Sequence, residues 1–128
     1  MAALTAITIK DSAGSDVVFQ PDFQDGNTVR WVYKPFGKSM NEWVYITFTR
    51  QLPANKSSGA TVGAISIELP VADPVTKLVV STNRETEKFT IPVKADPLVN
   101  KNMAAFAKNL NALAVTQAFR EDGSLPLS

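Results

Sequence analysis

Carboxylates and lysines are the side chains that could catalyse a reaction in this chain, because the sequence has neither histidine nor cysteine. Without histidine it lacks the commonest general base and metal ligand. Without cysteine it lacks thiolate nucleophiles, thiolate metal sites and disulfides. Asp73, Glu85 and Glu87 could serve a small carboxylate enzyme, but such acids are more often solvated turn residues. We therefore predict that the protein is not an enzyme and has no catalytic residue, metal site or cofactor.

The alternation of polar and apolar residues indicates that the protein could bind a ligand rather than catalyse a reaction. In each of three predicted strands one side is apolar and the other carries hydroxyls, cations or an aromatic ring. The outward side chains are Tyr45, Thr47, Thr49, Ser66, Arg84, Thr86, Lys88 and Thr90. Cations can contact phosphate, hydroxyls can contact sugars and base edges, and aromatic rings can stack on bases. An ordinary solvated sheet face is the alternative, and spacing alone does not decide between the two.

The distribution of charge is more informative than the net charge of +1. Residues 30–60 contain five of the cationic side chains against a single glutamate. Residues 1–29 are acidic, with four aspartates and one lysine. A central basic segment is compatible with a polyanionic partner and equally with a solvated face.

The elements that hold these residues are a run of strands followed by helices, which is an α+β pattern within a single domain of 128 residues. Strands are predicted over about 4–10, 17–21, 28–36, 42–51 and 60–71. "ADPVTK" is predicted to be a turn, and the segment 77–93 that follows is either one long strand or a hairpin that turns at Ser81–Glu85. Pro92 has no backbone N–H to donate to a neighbouring strand, so we expect it at the end of a strand or on an edge strand of the sheet.

The helical part begins after Asp96, which is a favourable N-cap followed by proline at the first helical position. This helix is predicted to run to about Leu113, with a short second helix through "AVTQAFRED" that ends at Gly123. The first helix has one apolar stripe, formed by Val99, Met103, Phe106 and Leu110. The stripe could cover this chain's own sheet or the sheet of another copy.

No membrane partner is predicted, because no apolar run approaches the ~18 residues of a membrane-spanning helix. The N-terminal "MAALTAITIKD" has no basic leader, so we also expect no signal peptide.

Several segments resemble the coat proteins of single-stranded RNA bacteriophages, the leviviruses. "MAALTAITIKD" is similar to their opening strand, and "DVVFQPDFQDGNTVRW" to their second strand, loop and tryptophan-bearing third strand. "EKFTIPV", followed by a polar helix start, resembles their last strand and first helix. The resemblance spans nearly the whole chain.

The resemblance implies an N-terminal hairpin, a five-stranded antiparallel sheet and two C-terminal helices. Two subunits would interlock as a homodimer, with the helices of one across the sheet of the other. The apolar stripe would then be a dimer interface. The dimers would build an icosahedral shell (T=3 in the family) around genomic RNA, locating the protein in the virion after assembly in the bacterial cytoplasm. An RNA stem-loop bound on the inner sheet face would repress replicase translation.

The same resemblance implies which residues face the RNA. They are Thr28, Arg30, Tyr45, Thr47, Thr49, Ser66, Arg84, Thr86 and Lys88, with Ala64 among them. Two positions depart from the family pattern, because Tyr45 is bulky and Ala64 has no hydroxyl where relatives line an adenine pocket. Glu68, Glu85 and Glu87 add negative charge near this region. We therefore expect packaging through Arg84, Lys88 and Arg50 rather than recognition of a relative's hairpin. The alternative function is a β-rich module that binds RNA or another polyanion and never assembles.

Overall fold

The computed structural model describes residues 4–38, 40–55, 57–94, 96–123 and 125. It contains one antiparallel sheet whose strands are neighbours in chain order, followed by two helices. The strands are β1 (Ile7–Lys10), β2 (Asp16–Gln24), β3 (Thr28–Tyr33), β4 (Val44–Gln51), β5 (Ala60–Ala72) and β6 (Val79–Pro92). The helices are α1 (Pro97–Asn111) and α2 (Ala114–Asp122), and a 3₁₀ turn, Met40–Glu42, precedes β4. The predicted α+β class is confirmed.

The sheet has six strands, whereas five were predicted in addition to a separate hairpin. The difference arises at β2, which was predicted to end at Pro21 but continues to Gln24. Its first half pairs with β1, and its second half pairs with β3. The register shifts between Pro21 and Phe23, which marks a bulge where the strand passes from one partner to the other. The hairpin and the sheet are therefore continuous.

The ambiguous segment near the end of the sheet is one long strand. Val79–Pro92 pairs with β5 along its whole length, so the alternative turn at Ser81–Glu85 is excluded. The chain instead turns at Asp73, whose carboxylate accepts hydrogen bonds from the backbone N–H groups of Val75 (2.8 Å) and Thr76 (3.0 Å). Those two hydrogen bonds hold the pKa of Asp73 below its ordinary value, because they stabilise the ionised carboxylate.

A small core lies on one face of the sheet, beneath the N-terminal hairpin. Phe19, Trp31 and Ile46 are buried there, with Leu4 and Ile7 packed against them. The indole N–H of Trp31 donates to the backbone oxygen of Thr5 at 2.8 Å, so the buried ring keeps a hydrogen-bond partner. The core therefore occupies the β1–β4 part of the sheet, at a distance from α1.

Both helices begin and end close to the predicted positions. The Asp96 carboxylate accepts a hydrogen bond from the backbone N–H of Leu98 at 2.9 Å and caps α1. This helix ends at Asn111 rather than Leu113, and α2 ends at Asp122, where Gly123 with φ 77° forms the C-cap. No residue of either helix is buried. In the part of the chain that the structure describes, no helix has the length and apolar character required to cross a bilayer.

Candidate nucleic-acid interface

The register of the strands places all nine predicted RNA-binding residues on one face of the sheet. This surface, here called the polar face, consists of three cross-strand rows. They are Thr28–Thr49–Ala64–Lys88, Arg30–Thr47–Ser66–Thr86 and Val32–Tyr45–Glu68–Arg84. Directly opposed residues in antiparallel strands point to the same side, so each row is a set of neighbouring side chains. The structure brings these residues together, and their contact with RNA stays a prediction.

Arg30 is held at the β2–β3 side of the polar face by two contacts. Its Nε lies 2.7 Å from a carboxylate oxygen of Asp22, and its guanidinium carbon lies 4.8 Å from the centre of the Tyr45 ring. An arginine has five N–H donors, so the contact through Nε leaves the terminal nitrogens available. The aspartate therefore positions this cation without consuming its capacity to bind an anion.

The opposite side of the polar face is less constrained. Arg84 approaches Glu68 at 3.7 Å, and the hydroxyls of Ser66 and Thr86 lie 3.4 Å apart. Lys88 has no ion-pair partner within the described ranges. Exposed ion pairs contribute only about 0–1 kcal/mol, so the pairing of Arg84 does not prevent it from moving to a phosphate.

Three charged residues do not lie where the sequence analysis placed them. Glu85 and Glu87 were expected near the RNA-facing region, but they oppose Ile67 and Ile65 across β5 and therefore face the other side of the sheet. Arg50 also lies outside the polar face. Its guanidinium donates to the backbone oxygen of Gly26 at 2.9 Å and so braces the β2–β3 turn. Arg50 therefore supports this turn. Because Glu85 and Glu87 face away from the polar face, that face has less negative charge than expected.

Three residues at this face were not among the predicted RNA-binding residues. Asp22 was assigned to a loop, and Lys34 and Trp43 were not included in the binding set. In the structure the Lys34 ammonium lies 4.5 Å from the centre of the Trp43 ring. The alternation of β3 and β4 contained the signal for this pair, since both residues extend the polar positions by one further step.

The opposite face of the sheet is apolar and largely uncovered. We call Val29, Phe48, Ile65, Phe89 and Ile91 the apolar face. Four of them line a cleft of about 440 Å³, and a further cleft of about 650 Å³ separates β6 from α1. The chain's own helices therefore do not close over this face.

The stripe on α1 is equally exposed. The exposed fractions are 57% for Val99, 63% for Met103, 69% for Phe106 and 55% for Leu110. A single stripe of four large apolar side chains at helical spacing is normally the buried side of an amphipathic helix. Neither the stripe nor the apolar face is covered by other residues within one copy of the chain.

One ion pair ties the helical end of the chain to its own sheet. Arg120 of α2 lies 3.0 Å from the Glu85 carboxylate on β6. This contact uses the acid that faces away from the polar face, so α2 lies on the same side as the apolar face. Among the described residues, no group of three or more acidic side chains is arranged to hold a metal ion.

Comparison with known proteins identifies the fold. No family model and no curated protein sequence matches the chain. Solved structures do match. The virus-like particle of Beihai levi-like virus 21 superimposes with a TM-score of 0.85 at 19% identity, covering 99% of this chain and 100% of that one. The virus-like particle of bacteriophage NT-214 gives 0.81 at 19% identity, with 98% and 100% covered. The capsid protein of bacteriophage GA gives 0.69 at 16% identity, with 94% and 95% covered. The resemblance to levivirus coat proteins is thus confirmed at the level of the fold.

Proposed function

We propose that this chain is a coat protein that assembles as interlocked dimers into an icosahedral shell and binds RNA on its polar face. The observation that carries the proposal is the exposed α1 stripe opposite an uncovered apolar face, in a chain with the fold of phage coat proteins. A second copy supplies both missing surfaces at once, because each helix can then cover the sheet of the other. Folding and dimerisation would be coupled.

The free edge of the sheet supports the same arrangement. β6 has 14 residues and pairs with β5 on one side only, so its other side presents unpaired backbone groups. A long unprotected edge is a template for pairing with another strand. Pairing β6 with the β6 of a second copy would extend the sheet across the dimer and produce one continuous polar face.

The composition of the polar face supports RNA as the partner. Arg30, Arg84 and Lys88 supply cations for phosphate, and Thr47 and Ser66 supply hydroxyls. A dimer would double this surface. Because the cations are exposed and would contact phosphates rather than base edges, we expect packaging to depend strongly on salt. Repression of replicase translation through a stem-loop would be a further use of the same face.

The test is to produce the chain alone in bacteria and purify what it forms. We expect particles in negative-stain images, with absorbance at 260 nm from packaged host RNA. A monodisperse monomer or bare dimer at high concentration, under all salt conditions tried, would contradict the proposal. If such a species still bound RNA, the chain would be a non-assembling binding module.

A further inference from the structure

Two cation–aromatic contacts lie next to each other on the polar face, and the second lies outside the set that the sequence analysis assigned to RNA. Arg30 lies over Tyr45 at 4.8 Å, and Lys34 lies over Trp43 at 4.5 Å. We call these four residues the cation–aromatic track. Tyr45 opposes Val32 in the register of β3 and β4, and the same register continued by two residues sets Trp43 opposite Lys34. The track therefore runs along β3 and β4 and extends one residue beyond the paired end of each strand.

The track has the composition of a surface that binds unpaired nucleotides. Such surfaces combine cations that follow the phosphate chain with aromatic rings on which bases stack. Trp43 directly precedes β4 and Tyr45 is the second residue of that strand, so the two rings lie two positions apart in the sequence. Trp43 has a large π-surface and is only half-buried. Beside the track, Val18, Gln20, Pro21 and Asp22 line a cleft of about 330 Å³ between β2 and β3.

The two cations differ in how firmly they are held. Arg30 is fixed by the Asp22 carboxylate at 2.7 Å. Lys34 is exposed, and within the described ranges it forms no ion pair, so its contact with the ring is its main constraint. An exposed cation–π contact is worth about 0.5–1 kcal/mol, whereas a base stacked on an aromatic ring contributes about 1–3 kcal/mol. A base can therefore displace Lys34 from Trp43, which releases the ammonium to a phosphate of the same strand.

We propose that Trp43 is a stacking site for an unpaired RNA base, and that Lys34 moves from the ring to the neighbouring phosphate when the base arrives. This inference rests on the proposed function, because it assumes that the polar face meets RNA. It extends the binding surface beyond the nine residues assigned from the sequence. The chemical class of the ligand is single-stranded RNA, with no requirement for a particular base.

Tryptophan fluorescence gives a direct test, because the chain has two tryptophans and Trp31 is buried in the core. RNA-free protein is titrated with an unstructured oligoadenylate of about eight nucleotides, within the usual site size of single-strand-binding surfaces. A ribose-phosphate chain of the same length without bases serves as the matched probe. We expect the oligoadenylate to quench the fluorescence of Trp43 and the abasic chain to bind without quenching. Equal quenching by both probes would overturn the stacking proposal.

Variants separate stacking from charge. Trp43→Leu should weaken oligoadenylate binding about 5- to 150-fold, while Trp43→Phe should remain close to wild type because it keeps an aromatic face. Lys34→Gln should lower the slope of log affinity against log salt by about one, and Lys101→Gln, on exposed α1, should leave it unchanged. Wild-type affinity in Trp43→Leu would overturn the proposal. Circular dichroism verifies that each variant is folded.

Rejection of the stacking proposal can be distinguished from rejection of the coat-protein proposal. Particles that contain RNA, combined with absent quenching, would reject the track and leave the coat-protein proposal standing. Absence of both particles and RNA binding would reject the coat-protein proposal first. A change in Trp43 fluorescence on assembly without RNA would assign the ring to a contact between copies of the chain and would also reject the track.

Discussion

Replacing Phe106 by aspartate should abolish the dimer. The Phe106 side chain is 69% exposed in the single chain and lies in the middle of the α1 stripe. A phenylalanine buries about 150–250 Å² when fully covered, so about 100–170 Å² of it would become buried in the dimer. At ~25 cal/mol per Å², that burial contributes about 2.5–4 kcal/mol per copy, or about 5–8 kcal/mol per dimer. Losing it would raise the dissociation constant by at least about three orders of magnitude.

Aspartate adds a second cost, because an unpaired carboxylate would lie in the shared apolar interior. The matched control is Ala105→Asp, which introduces the same charge on the same helix at least about 100° away from each residue of the stripe. Mass measurement by light scattering after size exclusion should find the control dimeric or assembled. The Phe106→Asp variant should be monomeric or insoluble. Equal dimer yield from the two variants would show that the stripe is not an interface and would refute the reasoning.

Three further predictions concern the polar face, the apolar face and the β5–β6 turn. Replacing Arg84 and Lys88 together by alanine should leave the fold intact but reduce RNA per particle and its resistance to salt, measured by absorbance ratio and salt titration; unchanged packaging would remove both from the site. Gly63→Ala should destabilise the protein by about 1–3 kcal/mol in chemical unfolding, because the added Cβ would overlap the Phe89 ring, and Phe89→Ala should recover part of that loss in the double variant. Asp73→Asn should be less stable than wild type at neutral pH. Because the pKa of Asp73 is lowered in the folded protein, the difference in stability between the two proteins should disappear as the pH falls through that folded pKa. A difference in stability that does not depend on pH would contradict the capping role of the Asp73 carboxylate.

Much of the polar face could be predicted because side-chain alternation in a strand depends on local sequence alone. Thr47, Ser66 and Thr86 were placed on one face by alternation, and the register sets them directly opposite each other. Alternation would also have placed Glu85 and Glu87 on the opposite face, but they were instead judged by their proximity in sequence to Arg84.

Other features depend on contacts that no single segment contains. The extension of β2 to Gln24 requires both neighbouring strands, since Pro21 at its middle argues locally for a turn. Alternation places Lys34 and Trp43 on the polar side, but their contact joins two segments that lie just beyond the paired ends of β3 and β4. The turn at "ADPVTK" was predicted from the sequence and is confirmed, because aspartate before "PVTK" is suited to a side-chain-capped turn. The amphipathic stripe was predicted from spacing, but spacing does not say which chain covers it.

Two copies of the chain are expected to complete each other's apolar interior, and a cryo-electron microscopy reconstruction of the assembled protein would show whether they do. In that reconstruction Phe106 of each copy should lie against the sheet of its partner, with the two β6 strands paired and the polar face turned toward internal RNA density. Helices that close entirely over their own strands, with β6 left unpaired, would contradict this expectation.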